Sequence, residues 1–371
     1  MGLFGQLFGK PETPAETAAD AALAAPVPAD EGYAQQLQAL QLRAQAFWAD
    51  WQQEEARLSA LDSVAFVEAA NELLQRHCPD TVVELEGAAD GAEGATLVFS
   101  ANGVREHFPQ LQALTEQAQT QRYRVRAFRN RALAAGMADF AIRMGDFELS
   151  AADIRVRCEG WRELAALEIA FSRPIEAEML PHAQNMAFIM LDHVVGEWDA
   201  VVKIGAVDFV DEVPEDAVPL HELPEKLDQL WRDLGRSGVY PQPEWQYSMY
   251  QLEEAEDQDE LTLTRNESAA ALIGRADMAW CVSVRCVLAG KADLEAAYDL
   301  QDAFYAEAEL QQQGIGSIAV TNLSASTRTV YAATANPLAL LQKAQALCGR
   351  FAGIQAEAAC EYDPGWAHYR L

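Results

Sequence analysis

The sequence predicts an α+β protein whose last third is a ferredoxin-like, β-α-β-β-α-β domain, preceded by an α+β region of one or two sheets. Three observations predict it. Stretches with apolar residues at helical spacing are interspersed with stretches that alternate by two. From about residue 278 the order reads strand, helix, strand, strand, helix, strand. At 371 residues the chain is long enough for two or three cores.

Residues 1–32 read as a tip and a disordered linker. Residues 11–32 are largely Ala, Pro, Glu and Asp with no apolar period. Leu3, Phe4, Leu7 and Phe8 would share one helical face. This allows two readings, a weak peripheral membrane contact or a frayed tip. Three glycines and a single lysine within residues 1–10 favour the tip, and Gln6 breaks the myristoylation pattern that Gly2 suggests.

Residues 33–213 form the expected first region, as one domain or as two (33–132 and 137–213). A helix is predicted over 34–60 from Leu37, Leu40, Leu42, Phe47, Trp48 and Trp51. A second follows Asp62 as N-cap and carries Val64, Phe66, Val67, Leu73 and Leu74. Strands at 81–85 and 96–99, a helix at 104–119 and a strand at 123–128 complete the first block. The second block offers strands at 140–144, 154–158 and 164–171, a helix at 178–194 and a long strand at 199–209. One continuous sheet through both blocks is the simplest arrangement.

Residues 214–240 read as an acidic, Pro-rich linker with a short helix near 223–234. Between 208 and 260 there are 16 acidic and 3 basic residues. The last domain, 241–371, opens with a hairpin in which Trp245, Tyr247 and Met249 alternate with polar residues around a turn at 253–260. On the next strand Trp280, Val282, Val284 and Cys286 share a face. Helices are predicted at 293–310 and after Asn336 (N-cap) and Pro337 (first turn). The last strand is 354–362.

The composition constrains function. With 57 acidic and 27 basic residues, the formal net charge is −30. Such a surface repels nucleic acid and anionic lipid and attracts a protein partner of basic character, so no direct nucleic-acid binding is expected. No apolar run approaches the roughly 20 residues that span a bilayer. The chain opens on no basic-then-apolar leader, and its six cysteines form no C-x-x-C pair, which predicts reduced thiols in the cytoplasm.

Motifs for catalysis, cofactor or metal are absent: there is no P-loop, no G-x-G-x-x-G and no G-x-S-x-G. His193, Glu197 and Asp192, with His182, have metal-ligand spacing, but a helix C-terminus stopped by Gly196 explains them better. Adjacent His77 and Cys78 do not face each other. The unusual feature is an arginine stripe. Arg122, Arg124 and Arg126 alternate on one predicted strand, and Arg155 and Arg157 on another. Residues 121–173 carry 10 arginines against 7 acids. Arginine suits bidentate binding of carboxylate or phosphate. The stripe reads as a face for a small anionic ligand or an acidic peptide, which with His107 or His193 would make an enzyme or sensor, as a set of internal salt bridges to Asp146, Glu148, Asp153 or Glu168, or as a dock for the chain's own acidic segment 208–260.

The C-terminal third also carries a family likeness. Trp245-x-Tyr247, then Leu300, Asp302 and Phe304, then Gly316 with Thr321, then Thr327-Arg328-Thr329-Val330-Tyr331, and finally Asp363-Pro364-Gly365-Trp366-x-x-Tyr369 resemble the bacterial domain-of-unknown-function family 695. That family is similar to RraB-type regulators of ribonuclease E. The resemblance implies a non-catalytic protein-binding module, and in its RraB form one that masks a basic RNA-processing partner. Leu191-Asp192-His193 with Gly196-Glu197 resembles segments of other uncharacterised bacterial proteins and implies no activity. Read as residues, the closing motif is a lock: Pro364 ends the last strand, Trp366 and Tyr369 fold back, and Arg328 or Arg370 pairs with Asp363.

Overall fold

The computed structural model describes residues 31–132, 140–242, 244–253 and 260–370. The expectations for residues 1–30 and for the hairpin turn at 254–259 lie outside the described residues. The protein is α+β and divides into two compact units, Leu37–Leu234 and Gly235–Leu371. Among the described residues no helix is long and apolar enough to cross a membrane.

Helix α1 (Glu31–Leu58) enters the first unit at Leu37. Ala44, Phe47, Trp48, Trp51 and Leu58 are buried at a spacing of three, four or seven residues, which keeps them on one stripe. Leu42, expected on that stripe, is exposed; it lies two residues from Ala44, about 200° around the helix. Helix α2 (Ser63–Gln75) starts at Asp62, whose carboxylate accepts from the Val64 and Ala65 N–H groups. Val64 faces solvent. Asn71 on α2 bonds both the N–H and the carbonyl of Val83 (2.9 and 2.8 Å), so a side chain stands in for a neighbouring strand. Strands β1 (Val82–Glu86), β2 (Thr96–Ser100) and β3 (Arg124–Ala127) form a three-stranded sheet. Helix α3 (Phe108–Glu116) is the crossover between the parallel pair β2 and β3. An aromatic cluster of Phe47, Trp48, Trp51, Phe66, Phe99 and Tyr123 fills the space under the sheet, with ring centroids 5.0–6.0 Å apart.

The rest of this unit does not extend that sheet. Strands β4 (Ala141–Met144) and β5 (Phe147–Ser150) form a separate hairpin. Strands β6 (Ile154–Trp161), β7 (Leu164–Phe171), β8 (Ile204–Phe209) and β9 (Val218–Pro219) form a four-stranded sheet in the order β8-β7-β6-β9. The single continuous sheet expected from sequence is therefore replaced by three sheets. Helix α4 (Leu180–Val195) packs its Ala183, Met186, Met190 and Val194 on the four-stranded sheet. The strand expected from 199 begins instead as a short helix, α5 (Glu197–Val202), whose first turn carries Glu197 and Asp199, where acids favour helix. The expected linker is also structured: helix α6 (Leu223–Asp233) buries Leu223 and Leu227 in the core shared with β6, β7 and α4. The unit thus runs to Leu234.

The second unit is built on a six-stranded sheet. The hairpin strands are β10 (Tyr247–Glu253) and β11 (Glu260–Asn266), paired from Tyr247↔Asn266 to Glu253↔Glu260. They are followed by β12 (Trp280–Val287), helix α7 (Lys291–Ala308), β13 (Gly314–Asn322), β14 (Thr327–Thr334), helix α8 (Pro337–Arg350) and β15 (Ala356–Tyr362). The spatial order is β10-β11-β13-β14-β12-β15, and every pair is antiparallel. The two helices pack on each other and on the sheet. Trp280, Val282, Val284 and Cys286 are buried together on β12. Asn336 precedes α8 but makes no side-chain cap; its amide donates to the Gln313 side chain at 3.0 Å.

Two local features fix the register here. Ser317 is the extra residue of a β-bulge between Gly316 and Ile318. Gly316 lies flat against the Tyr305 ring, so that a Cβ would sit 2.6 Å from it, and the Tyr305 hydroxyl donates to the Ile318 carbonyl at 2.9 Å. Gly316→Ala is expected to lower the stability of this unit by about 1–3 kcal/mol through overpacking. Urea unfolding followed by near-UV circular dichroism measures the effect, and an unchanged midpoint would show that Tyr305 moves freely.

Candidate functional site

The arginines of the stripe do not form one face. Arg124 and Arg126 lie on β3, with Arg122 just before it, whereas Arg155 and Arg157 lie on β6 of a different sheet. Arg122 and Arg124 are exposed. Arg126 pairs with Glu86 at 2.6 Å across the sheet. Arg157 pairs with Glu168 on β7, its register partner, at 2.8 Å and with Glu159 at 3.0 Å. Arg143 bonds Glu148 on the neighbouring strand, and Arg173 lies 3.5 Å from Asp153. Two of the acids named from sequence as internal partners, Glu148 and Glu168, are thus used on paired strands, and Asp153 by an arginine beyond β7.

The two arginines that follow the stripe do more. Arg129 bonds Glu84 at 2.6 Å, Asp192 at 2.8 Å and the Asn102 side chain at 2.5 Å. Arg131 makes a two-pronged bond to Asp228 on α6 (2.7 Å twice), binds Asp199 on α5 and donates to the Val195 carbonyl. Between them the backbone meets the start of α5. Glu197 is fully buried. Its Oε1 accepts from the Ser100 hydroxyl and from the N–H groups of Ala101 and Gly103 at 2.9–3.0 Å, and its Oε2 accepts from the Arg129 N–H at 3.2 Å. The Glu197 N–H returns a bond to the Arg129 carbonyl. Gly196 has φ +83°, and a Cβ there would lie 3.0 Å from the Arg131 nitrogen. Glycine is required both by conformation and by this close approach.

This network engages two of the three residues with metal-like spacing, Asp192 and Glu197. Asp192 is taken by Arg129, and Glu197 by backbone donors. His193 sits edge-on to Phe140, and His182 is exposed. His107 precedes α3. Burial raises the Glu197 carboxyl above its ordinary range despite the Gly103 and Ala101 N–H bonds. His77 bonds Asp50 at 2.9 Å rather than Cys78, and burial pushes the Cys78 thiol up to about 12.

An open groove of about 440 Å³ lies beside Arg157. It is lined by Arg157, Glu168, Val210, Glu212, Pro214, Glu215 and Asp216. Four carboxylates thus surround one guanidinium that is already bonded to one of them. The groove suits a cationic side chain and disfavours an anion. Neither His107 nor His193 lines it.

In the second unit the closing motif folds back on its own sheet. The Asp363 N–H bonds the Ala279 carbonyl. Trp366, with φ +52°, is fully buried and donates from its indole nitrogen to the Met278 carbonyl at 2.7 Å. The Tyr369 hydroxyl donates to the Asn266 carbonyl at 2.7 Å. Pro364 is buried at the turn. The Asp363 carboxylate accepts from the Ala367 and His368 N–H groups and from His368 Nδ1 at 2.6 Å. The Asp363 carboxylate thus pairs with His368. Arg370 donates to the Gly365 carbonyl. Arg328 is buried elsewhere, under Tyr298 at 4.3 Å, and bonds the side chains of Thr321 and Gln301. Burial alone would raise the Asp363 carboxyl, but the His368 ring and the two N–H groups outweigh it and hold it at about 2.

Sequence reasoning missed Glu197 and His368 as structural centres. The partners of Glu197 are remote in sequence, whereas Asp363 lies five residues from His368. No family model matches the chain, and neither a curated protein nor a solved structure does.

Two outcomes are expected. Glu197→Gln places an amide NH₂ against backbone donors and should cost about 3 kcal/mol. Faster hydrogen exchange at the Ala101, Gly103 and Arg129 amides reports it, and unchanged protection would refute the role. Asp363 has a folded-state value below the ordinary 3.8. Its contribution is therefore present above that value and lost as pH falls toward about 2. Asp363→Asn should cost about 2 kcal/mol at neutral pH, and the gap to the parent should close during acid titration between those two values.

Proposed function

We propose that this chain is an acidic interaction module that binds a basic segment of a partner protein in the groove beside Arg157. The observation that carries the reading is the lining of that groove: Glu168, Glu212, Glu215 and Asp216 around an arginine already bonded to Glu168. A lysine or arginine side chain entering there meets uncompensated carboxylates. The net charge of −30 steers a basic partner toward the chain from a distance. The alternative, a small anionic ligand on the stripe, is less well supported, because Arg126 and Arg157 already hold carboxylates. Arg122, Arg124 and the half-buried Arg155 are what that reading retains.

We also read the C-terminal unit as ferredoxin-like. Its β12-α7-β13-β14-α8-β15 chain order, with strands lying as β13-β14-β12-β15, supports this. The resemblance to family 695 and to RraB-type regulators supports a binding role, with the cytoplasm as its place.

The test is fluorescence anisotropy of a labelled Lys/Arg-rich peptide against the full chain. Binding should weaken steeply between low and moderate salt. Glu212→Lys with Glu215→Lys should weaken it about tenfold or more, whereas Glu357→Lys, on the other unit, should change it little. Equal losses from both variants would mean a diffuse charge effect and sink the groove.

A further inference from the structure

The closing turn brings together three side chains that no sequence pattern connects. Cys281 on β12 and Glu361 on β15 are direct register partners, so they project from the same face of the sheet. The 3₁₀ turn Ala367–Tyr369 lays His368 over that face. One ligand atom from each of Cys281, Glu361 and His368 lies within 4.8 Å of the other two. We propose that Cys281, Glu361 and His368 form a binding site for a divalent transition metal ion, best suited to zinc.

The chemistry of the donors supports zinc. A thiolate, an imidazole and a carboxylate span soft, borderline and hard donors, a set that zinc accepts, whereas calcium and magnesium take oxygen ligands. Three protein ligands leave a fourth, tetrahedral position for water. The imidazole is also prepared for the task. Its Nδ1 is held by Asp363 at 2.6 Å, and Asp363 is itself fixed by the Ala367 and His368 N–H groups. A carboxylate on one ring nitrogen orients the other toward a metal. Tyr331 and Trp366 also stack with the ring, at centroid distances of 5.5 and 5.8 Å, and hold its orientation by packing.

Some closure is needed. Tetrahedral zinc with bonds of 2.0–2.3 Å holds its donors about 3.3–3.8 Å apart. Glu361 is exposed, so its side chain can supply that movement. His368 Nε2 would exchange its 3.1 Å contact with Ser317 Oγ for the metal. Ser317 keeps its bond to the Tyr331 carbonyl. Binding releases the Cys281 thiol proton to solvent, and the thiolate's negative charge is neutralised by the ion.

The experiment is a cobalt titration of the full chain, purified with chelator and reductant and then freed of both. One equivalent of Co²⁺ should produce a near-ultraviolet thiolate-to-cobalt band with tetrahedral visible bands, and Zn²⁺ should abolish them. Cys281→Ala should remove the thiolate band although five other cysteines remain. Glu361→Gln, at an exposed position, should weaken binding while keeping the band. Asp363→Asn should weaken it about 10- to 100-fold through the His368 ring. Absence of the band in the parent chain, or a band unchanged in Cys281→Ala, would overturn the proposal.

Discussion

A buried carboxylate that collects backbone N–H groups from a separate stretch of chain is the interaction on which each unit depends. In the first unit it is Glu197, which gathers the Ala101, Gly103 and Arg129 amides. In the second it is Asp363, which gathers those of Ala367 and His368. Hydrogen bonds to an ionised acceptor are the strong ones, and a buried charge without them is costly. Each carboxylate therefore forces its loop into one arrangement. Around Glu197 that arrangement fixes where the three-stranded sheet ends and where α5 begins. Around Asp363 it returns the chain over the sheet and sets Trp366 into its pocket.

Burial pushes both carboxyls up, yet their net shifts have opposite sign. Glu197 has burial as its largest influence, and its carboxyl is raised. The folded state then binds that proton more tightly than the unfolded chain does, so this group opposes acid unfolding. Asp363 has an imidazole as well as N–H donors, and its carboxyl is lowered. Acid removes its contribution. Two structurally similar clasps in one chain thus have opposite pH dependence, and the partner ring decides which.

The element types were legible because periodicity is local. The stripe from Leu37 to Trp51, the Asp62 cap and the alternation along β12 each lie within one window of sequence. What failed was non-local. The run after Gly196 reads as a strand by its apolar content, yet α5 forms because Glu197 is held by the loop after β2. The stretch before Leu234 reads as a linker by its prolines and charge, yet Leu223 and Leu227 are core residues. The arginine stripe was visible as a stripe, but its division between two sheets depends on strand pairing. The pairing of Asp363 with His368 is local, five residues apart, but depends on the turn at Trp366, whose φ is positive. Register across β12 and β15, which no single window contains, brings Cys281 to Glu361.

The placement of the arginines explains how so acidic a chain folds and still presents acid outward. Arg126, Arg129, Arg131 and Arg157 each hold one or more carboxylates inside the first unit. Guanidinium suits this because its donors form a planar fork that is never deprotonated. These pairs relieve repulsion where chain segments come together. They do so by consuming positive charge internally, so carboxylates at the groove beside Arg157 are left in excess. Internal pairing of arginine and external excess of acid are thus one arrangement, and the outward acid is what a basic partner would meet.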